Sequence, residues 1–416
     1  MKRVEYSKLE ASFFQYARLD EMPSVRAMLE DVRKNGDKAV RKYAIQFDGL
    51  EENEPFELTR EQIRSAYAQV EPATLEALKT AARRIRSFAQ KQMDSMKEFE
   101  SEEEGLMLGQ KIVPLGRVGC YVPGGRYPLP STALMTAIPA KVAGVKEVIV
   151  CSPKIKAATI VAADLAGADR IFNLGGVQAV GAMAYGTASV PRVDKIVGPG
   201  NQYVTAAKKN VYGEVGIDFI AGPSEVMVVA DETADAAFVA ADMLAQAEHD
   251  TAARADLITD SKALAEKVAA ELQRQLSVLP TREVAEKALQ NGCIVLVDSM
   301  EQAVEIADRR APEHLELQGK KAEKLALQFS NYGSLFIGPW CAEVFGDYCS
   351  GTNHTLPTNG AARYTGGLSV KDYVKVLTYQ KAGEKGAKKL APVASELARV
   401  EGLFGHKNAA DVRARK

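Results

Sequence analysis

Residues 118–151 read VGCYVPGGRYPLPSTALMTAIPAKVAGVKEVIVC. A short apolar run, 118–122, passes through the turn Pro123-Gly124-Gly125 into an apolar helix over 131–145 and a second apolar run at 147–151. The pattern continues with helices at 156–166 and 178–185 and strands at 170–174 and 195–197. Strands separated by helices of this length are βαβ units, and βαβ units build a parallel sheet. Parallel-sheet enzymes commonly bind ligands at the carboxyl ends of their strands, so the loops after strands come first. Three are glycine-rich: Pro123-Gly124-Gly125, Gly175-Gly176 and Gly198-Pro199-Gly200-Asn201. Such loops let a backbone approach closely and offer N–H groups to an anion, or they are simply tight turns. None is G-x-G-x-x-G, and no acidic residue stands at the usual ribose position.

Further along, a second alternating block places strands at 226–230, 255–258, 294–297 and 333–337, with helices at 233–249 and 262–275. The first hundred residues are helical instead. From Pro23 the positions Val25, Met28, Leu29, Val32, Val40, Tyr43, Ala44 and Phe47 keep mostly helical spacing, broken at Gly36. After Pro72, Leu75, Leu78, Ala82, Ile85, Phe88 and Ala89 repeat it, and the run Glu102 to Glu104 is expected as a solvated acidic loop. The fold class is α/β with two doubly wound domains, and no low-complexity linker parts them.

The 416 residues are 46% hydrophobic and 26% charged, too apolar for disorder. Lys plus Arg is 53 against 54 for Asp plus Glu, a net charge of −1 that leaves no nucleic-acid footprint. From Lys371 onward, however, 11 residues are basic and 5 acidic, as a segment docking on an acidic surface would be. No apolar run reaches the roughly 18 residues of a membrane span, and MKRVEYSKLE lacks a secretory apolar stretch, so a cytoplasmic protein is expected. Cys120, Cys151, Cys293, Cys341 and Cys349 form no C-x-x-C pair and no disulfide framework; most are expected as buried thiols.

The 4 histidines carry more information. His249 closes a helix with Gln246 three residues before it, His314 follows Glu313, His354 lies seven residues after Asp347, and His406 lies five after Glu401. A lone histidine is more often structural than functional, but here each has an acidic or amide companion. Imidazole and carboxylate donors from separate loops suit zinc with open positions for substrate, and Glu313-His314 offers two proton acceptors in one loop.

In one order the chain also carries Gly119-Cys120-Tyr121-Val122-Pro123-Gly124-Gly125, Ile196-Val197-Gly198-Pro199-Gly200-Asn201, Ala221-Gly222-Pro223-Ser224-Glu225, Gln246-Ala247-Glu248-His249, Ala311-Pro312-Glu313-His314-Leu315 and Gly351-Thr352-Asn353-His354-Thr355-Leu356-Pro357. Together they resemble histidinol dehydrogenase, and the likeness runs from the early helix to Gly405-His406-Lys407-Asn408. The resemblance implies oxidation of L-histidinol through the aldehyde to L-histidine, the last steps of histidine biosynthesis, with two NAD and one zinc ion per subunit. It implies zinc on Gln246, His249, Asp347 and His406, the last supplied by the other subunit of an intertwined homodimer with shared active sites. Tyr121, Gln178 and Asn201 match NAD-contacting positions. Ser224, His354 and Glu401 match substrate-contacting ones, and substrate is also expected to meet Gln246, His249, His314, Asp347 and His406. Glu313 and His314 match the catalytic pair.

The family's fold is two incomplete Rossmann-like domains with short terminal segments that embrace the other subunit. Applied here, it gives an N-terminal segment at 1–20, a first α/β domain from 21–120 and 224–368, an NAD-contacting second domain at 121–223, and a swapped C-terminal segment at 369–416. Two stretches depart from the commonest pattern. Gly125-Arg126-Tyr127-Pro128-Leu129 and Ala362-Arg363-Tyr364-Thr365-Gly366-Gly367-Leu368 look more like the sulfopropanediol dehydrogenases, relatives that oxidise a small sulfonated diol on the same framework. Against that stands Glu401, since a carboxylate suits a cationic or imidazole substrate better than a sulfonate. A zinc hydrolase is the rival from another class: the same ligands would activate water without any dinucleotide.

Overall fold

A computed structural model describes residues 1–16, 22–124 and 127–415. Gly125 and Arg126, which belong to the first glycine loop and to one of the two departing stretches, lie outside the described residues. Among the described residues the strands form three sheets.

The first sheet holds the opening stretch of sequence. Its five strands are all parallel, in the order Arg170–Asn173, Glu147–Ser152, Arg117–Tyr121, Lys195–Val197, Gly216–Ile217. Successive side chains of a strand point to opposite faces, and the two faces are separate cores. Val118, Cys120, Val148 and Val150 face the helices Arg60–Ala68, Pro72–Ser95, Pro130–Val142 and Ala157–Ala166. Ile149, Cys151 and Ile196 face Pro23–Asn35, Asp37–Tyr43, Gly176–Tyr185 and Gln202–Val211. The helices of the first hundred residues were expected with the block at 224–368; instead Val25, Leu29, Ile63, Leu78 and Ile85 pack on this five-stranded sheet. Helical spacing identifies an apolar face, but not the sheet that covers it.

The second sheet has six parallel strands in the order Lys2–Glu5, Cys293–Leu296, Arg254–Thr259, Glu225–Ala230, His314–Gln318, Ser334–Ile337. Lys2–Glu5, expected in a segment reaching another subunit, is the outer strand of this chain's own sheet, with charged side chains on the open edge. The central strand Glu225–Ala230 is buried throughout, and its neighbour His314–Gln318 is too.

The third sheet is antiparallel and joins Phe99–Glu103 and Leu106–Pro114 to Val374–Ala382. The acidic run expected as a loop is thus largely an edge strand: Glu102 pairs with Met107 and Glu103 with Leu106 while their side chains stay exposed. From this sheet the chain runs into two packed helices, Glu384–Val400 and Phe404–Ala414. Much of their charge is neutralised locally, by Lys388–Glu384, Arg399–Glu396 and Lys407–Asp411, with Lys389 reaching Glu104. Val393, Leu397 and Val400 leave an apolar stripe exposed on the first of them.

No helix among the described residues is long and apolar enough to cross a membrane. The five cysteines form no disulfide; Cys120, Cys151 and Cys293 are buried, and burial pushes the Cys120 and Cys293 thiols up to about 12, which leaves them inert.

Candidate active site

Tyr121, Gln178 and Asn201 line one cleft of about 640 Å³ at the carboxyl edge of the five-stranded sheet, together with Phe47, Asp48, Lys154, Gly176 and Tyr203. The cleft lies where the rule for parallel sheets puts it. The glycine loops themselves differ from expectation, because several of their amides are already taken. Gly175 N–H donates to Asp48 at 2.9 Å, Gly176 N–H to the Tyr121 hydroxyl at 3.1 Å, and Gly198 N–H to Asp218 at 2.7 Å. The Gly198 carbonyl is held too, by Lys208 at 2.9 Å, and Lys208 forms a buried ion pair with Asp218. Asn201 caps the next helix through Tyr203 and Val204 N–H at 3.0 and 3.2 Å. The glycines are required for packing: a Cβ on Gly198 would stand 2.1 Å from the Tyr121 carbonyl oxygen, and one on Gly175 2.3 Å from Pro153. Gly198 also has φ +114°, a left-handed backbone that favours glycine.

The acid–base residues gather at the opposite kind of edge. Glu313 and His314 open the strand His314–Gln318, Ser224 immediately precedes Glu225–Ala230, and His249 comes shortly before Arg254–Thr259. All lie at amino ends of strands, contrary to the expectation from the carboxyl-edge rule. At the carboxyl edge of this sheet Asp231 ties together the segments that follow two strands, accepting from Thr233, Lys321 and Ala322 N–H at 2.8, 2.6 and 3.0 Å. At the amino edge, residues 353–359 cross over instead. Asn353 donates to the Met135 carbonyl at 2.6 Å on a helix of the other parallel sheet, while Asn359 N–H donates to Glu225 at 3.1 Å. That crossing carries His354 to His314.

Around His314 the groups form a connected chain. His314 Nδ1 donates to the Glu225 carbonyl at 2.9 Å, and its Nε2 lies 2.7 Å from His354 Nε2. His354 Nε2 is 2.9 Å from Asp347 Oδ1, and His249 Nε2 is 4.0 Å from Asp347 Oδ2. Glu313 Oε2 accepts from Glu225 N–H at 3.0 Å and lies 3.8 Å from His314 Nδ1. Burial, then the His354 and His249 charges, hold His314 well below its ordinary value, so it is neutral and able to accept a proton. Burial, then the Glu225 and Asp347 charges, raise the Glu313 carboxyl well above its ordinary value. Burial would also raise Asp347, but the hydrogen bond to His354 and the nearby His354 charge hold it below its ordinary value.

Ser224, Gln246, His249, Glu313, His314, Asp347 and His354 therefore share one region, with the Gln246 helix packed against Asp347's. Gln246 is fully buried, and neither of its amide atoms has a hydrogen-bond partner. A buried orphan amide beside an aspartate and a histidine is a donor set of the kind a zinc ion takes. His314, Glu343 and His354 also bring one ligand atom each within 4.8 Å of one another. Glu343 approaches Nδ1 of His314, at 3.5 Å, whereas His354 approaches Nε2, and that Nδ1 already serves the Glu225 carbonyl. Within that group only His314 and His354 are hydrogen-bonded to each other, and Glu343 Oε2 and His354 Nδ1 are buried without a partner. Glu401 and His406 are not brought to this region; they line a groove between the two C-terminal helices.

Four contributors escaped the sequence reading. Glu225 positions Glu313 and His314 through its backbone, and its own carboxylate is anchored by buried Arg310. Glu343 stands one helical turn before Asp347, a spacing that would have revealed it. Asp48 lies far away in sequence from the loops it supports.

Fold and cluster together define an α/β enzyme with buried acid–base groups at the edge of a parallel sheet and a separate cleft at the edge of another. The family model for histidinol dehydrogenase matches residues 15–414. Histidinol dehydrogenase from Methanocaldococcus jannaschii is 46% identical over 93% of this chain and 91% of its own length, and that from Aquifex aeolicus 48% identical over 94% and 92%. The crystal structure of histidinol dehydrogenase from Elizabethkingia anophelis superposes with a TM-score of 0.94 at 36% identity, covering 100% of this chain and 98% of that one. The chain belongs to the histidinol dehydrogenase family. These matches do not favour the sulfonated-diol or hydrolase alternative.

Proposed function

We propose that this enzyme oxidises L-histidinol through the aldehyde to L-histidine, using NAD and zinc. The observation that carries the reading, beside family membership, is the neutral His314 joined to His354 and Asp347, with Glu313 at its side. Gln246, His249 and Asp347 would hold zinc, with His406 of the partner subunit as the fourth ligand. Bound zinc supplies an anchor for the amine and imidazole nitrogens of the substrate, and bound NAD accepts hydride. His314, whose Nδ1 proton is fixed on the Glu225 carbonyl, takes the hydroxyl proton at Nε2 in the first oxidation. Glu313, held in place by Glu225 N–H, takes the proton of the water that attacks the aldehyde in the second.

The partner's role in this reading is supported by where Glu401 and His406 sit. Their helix pair exposes Val393, Leu397, Val400 and Phe404, an apolar surface suited to a second copy of the chain. Cleft and glycine loops suit NAD in the way the resemblance implies, with pocket side chains doing the work that loop amides do elsewhere. Following NADH formation with histidinol, with histidinal and with small sulfonated diols tests the proposal. Turnover of the diol in preference to histidinol would overturn it.

A further inference from the structure

Asp48 ends the helical segment Ala44–Asp48 and is buried beside the cleft. One of its oxygens, Oδ2, accepts both from Gly175 N–H at 2.9 Å and from Gln178 Nε2 at 3.0 Å. A carboxylate only accepts, so this contact decides which way the Gln178 amide points: NH2 toward Asp48, Oε1 away from it. That Oε1 is buried and has no hydrogen-bond partner, although Gln178 lines the cleft. It also lies 2.8 Å from where a Cβ on Gly176 would stand, so glycine is what leaves the oxygen its space. A buried acceptor left bare is costly unless a ligand meets it. Burial raises the Asp48 carboxyl; the two hydrogen bonds and the Lys154 charge work against that rise.

We propose that Asp48 is a positioning residue of the cofactor cleft: by holding the NH2 of Gln178 it presents Oε1 as a fixed acceptor to an N–H or O–H donor of the dinucleotide. The inference rests on the NAD reading above. It adds a residue that touches no reacting atom and a stated ligand chemistry. The donor is either the carboxamide side or the adenosine side of the dinucleotide, and both present such groups.

The test is calorimetric titration of NAD into the wild-type protein, Asp48→Ala, Asp48→Asn, Gln178→Met and the Asp48→Ala/Gln178→Met double variant. Asparagine can keep an acceptor oxygen where Oδ2 stands and alanine cannot. Asp48→Ala should therefore weaken NAD binding roughly tenfold while Asp48→Asn stays within about threefold of wild type. In turnover, Asp48→Ala should raise the KM for NAD with kcat little changed. Gln178→Met should lose a similar factor, and Asp48→Ala should cost nothing further in that background, because it acts through an amide no longer there. If Asp48→Ala fails to fold, Gln178→Met alone decides: wild-type affinity would overturn the proposal. So would equal losses in the alanine and asparagine variants, or an additive double variant. Titrations with nicotinamide mononucleotide and with ADP-ribose identify the donor's half, since only the half facing Oε1 should lose affinity in Gln178→Met; loss in neither overturns the proposal. Absence of NAD binding to the wild-type protein is a different result, and it would sink the cofactor reading together with this one.

Discussion

His314 and His354 meet nitrogen to nitrogen: their Nε2 atoms are 2.7 Å apart, and the rings stack with centroids 4.7 Å apart and planes at 15°. Because Nδ1 of His314 donates to the Glu225 carbonyl, the proton between the two rings belongs to His354. His354 shares that N–H with Asp347 Oδ1 at 2.9 Å. The bare Nε2 of His314 is thus marked as an acceptor by its surroundings before any substrate arrives. A substrate hydroxyl must take the place of His354 against that atom.

Glu313→Gln should fold normally, since an amide oxygen can still accept from Glu225 N–H. It removes the carboxylate that would receive the proton of water. Conversion of supplied histidinal should slow by roughly a hundredfold or more, with alcohol oxidation less affected. Equal losses in the two half-reactions would leave Glu313 without a separate role.

A second set of buried acids has a consequence for stability. Burial, then the Asp242 charge, raises Glu316 well above its ordinary value, and burial raises Asp242; Gln318 Nε2 donates to the two at 2.7 Å (Asp242) and 3.2 Å (Glu316). In the unfolded chain both carboxyls ionise near about 4. Above that pH the folded protein holds more protons than the unfolded one, so its stability falls as pH rises through the raised values. Glu316→Gln keeps a donor toward Asp242 but has no proton to lose. Between about pH 5 and 8 its melting temperature should therefore decline less than that of the wild type. Parallel curves would mean that Glu316 is ionised in the fold.

For the proposed zinc, chelation should abolish turnover and added zinc should restore it. Asp347→Asn should weaken zinc affinity, read by metal analysis after dialysis against graded zinc, by at least the roughly 10–100-fold that loss of a supporting group around a metal costs. Full turnover by metal-free protein would remove Gln246, His249 and Asp347 from the role given them.

The sheets were legible wherever burial on both faces leaves an unbroken apolar run, as in Glu225–Ala230. The strand that carries His314 was not. In HLELQ, Glu316 and Gln318 are polar yet buried, with Gln318 Nε2 donating to Asp242 and the Glu343 N–H to Glu316 across the fold. Phe99–Glu103 and Lys2–Glu5 were hidden for a related reason. Each is an exposed, largely charged edge strand: Lys2–Glu5 pairs with the distant Cys293–Leu296, and Phe99–Glu103 pairs with the adjacent Leu106–Pro114, whose other side is taken by the distant Val374–Ala382. Ser224, Gln246, His249, Glu313, His314, Asp347 and His354, which share one region, were singled out because they occur in spaced motifs. Their supports, Glu225, Glu343 and Asp48, act through contacts that only the fold creates.

His406 lies with Glu401 in the groove between the C-terminal helices, not with Asp347 and His249. If it completes the zinc site of the partner, a two-fold dimer has two equivalent sites, each with His314 from one chain and His406 from the other. His314→Ala and His406→Ala homodimers should then both be nearly inactive. When equal amounts of the two are unfolded, mixed and refolded, half of the dimers contain one chain of each kind if pairing is random. In such a dimer one site carries both defects and the other carries neither. Activity should return to roughly a quarter of wild type, half the dimers times half the sites. Were His406 to serve its own chain's site, every site in the mixture would still lack one histidine. No recovery, with mixed dimers shown to have formed, would refute the shared site.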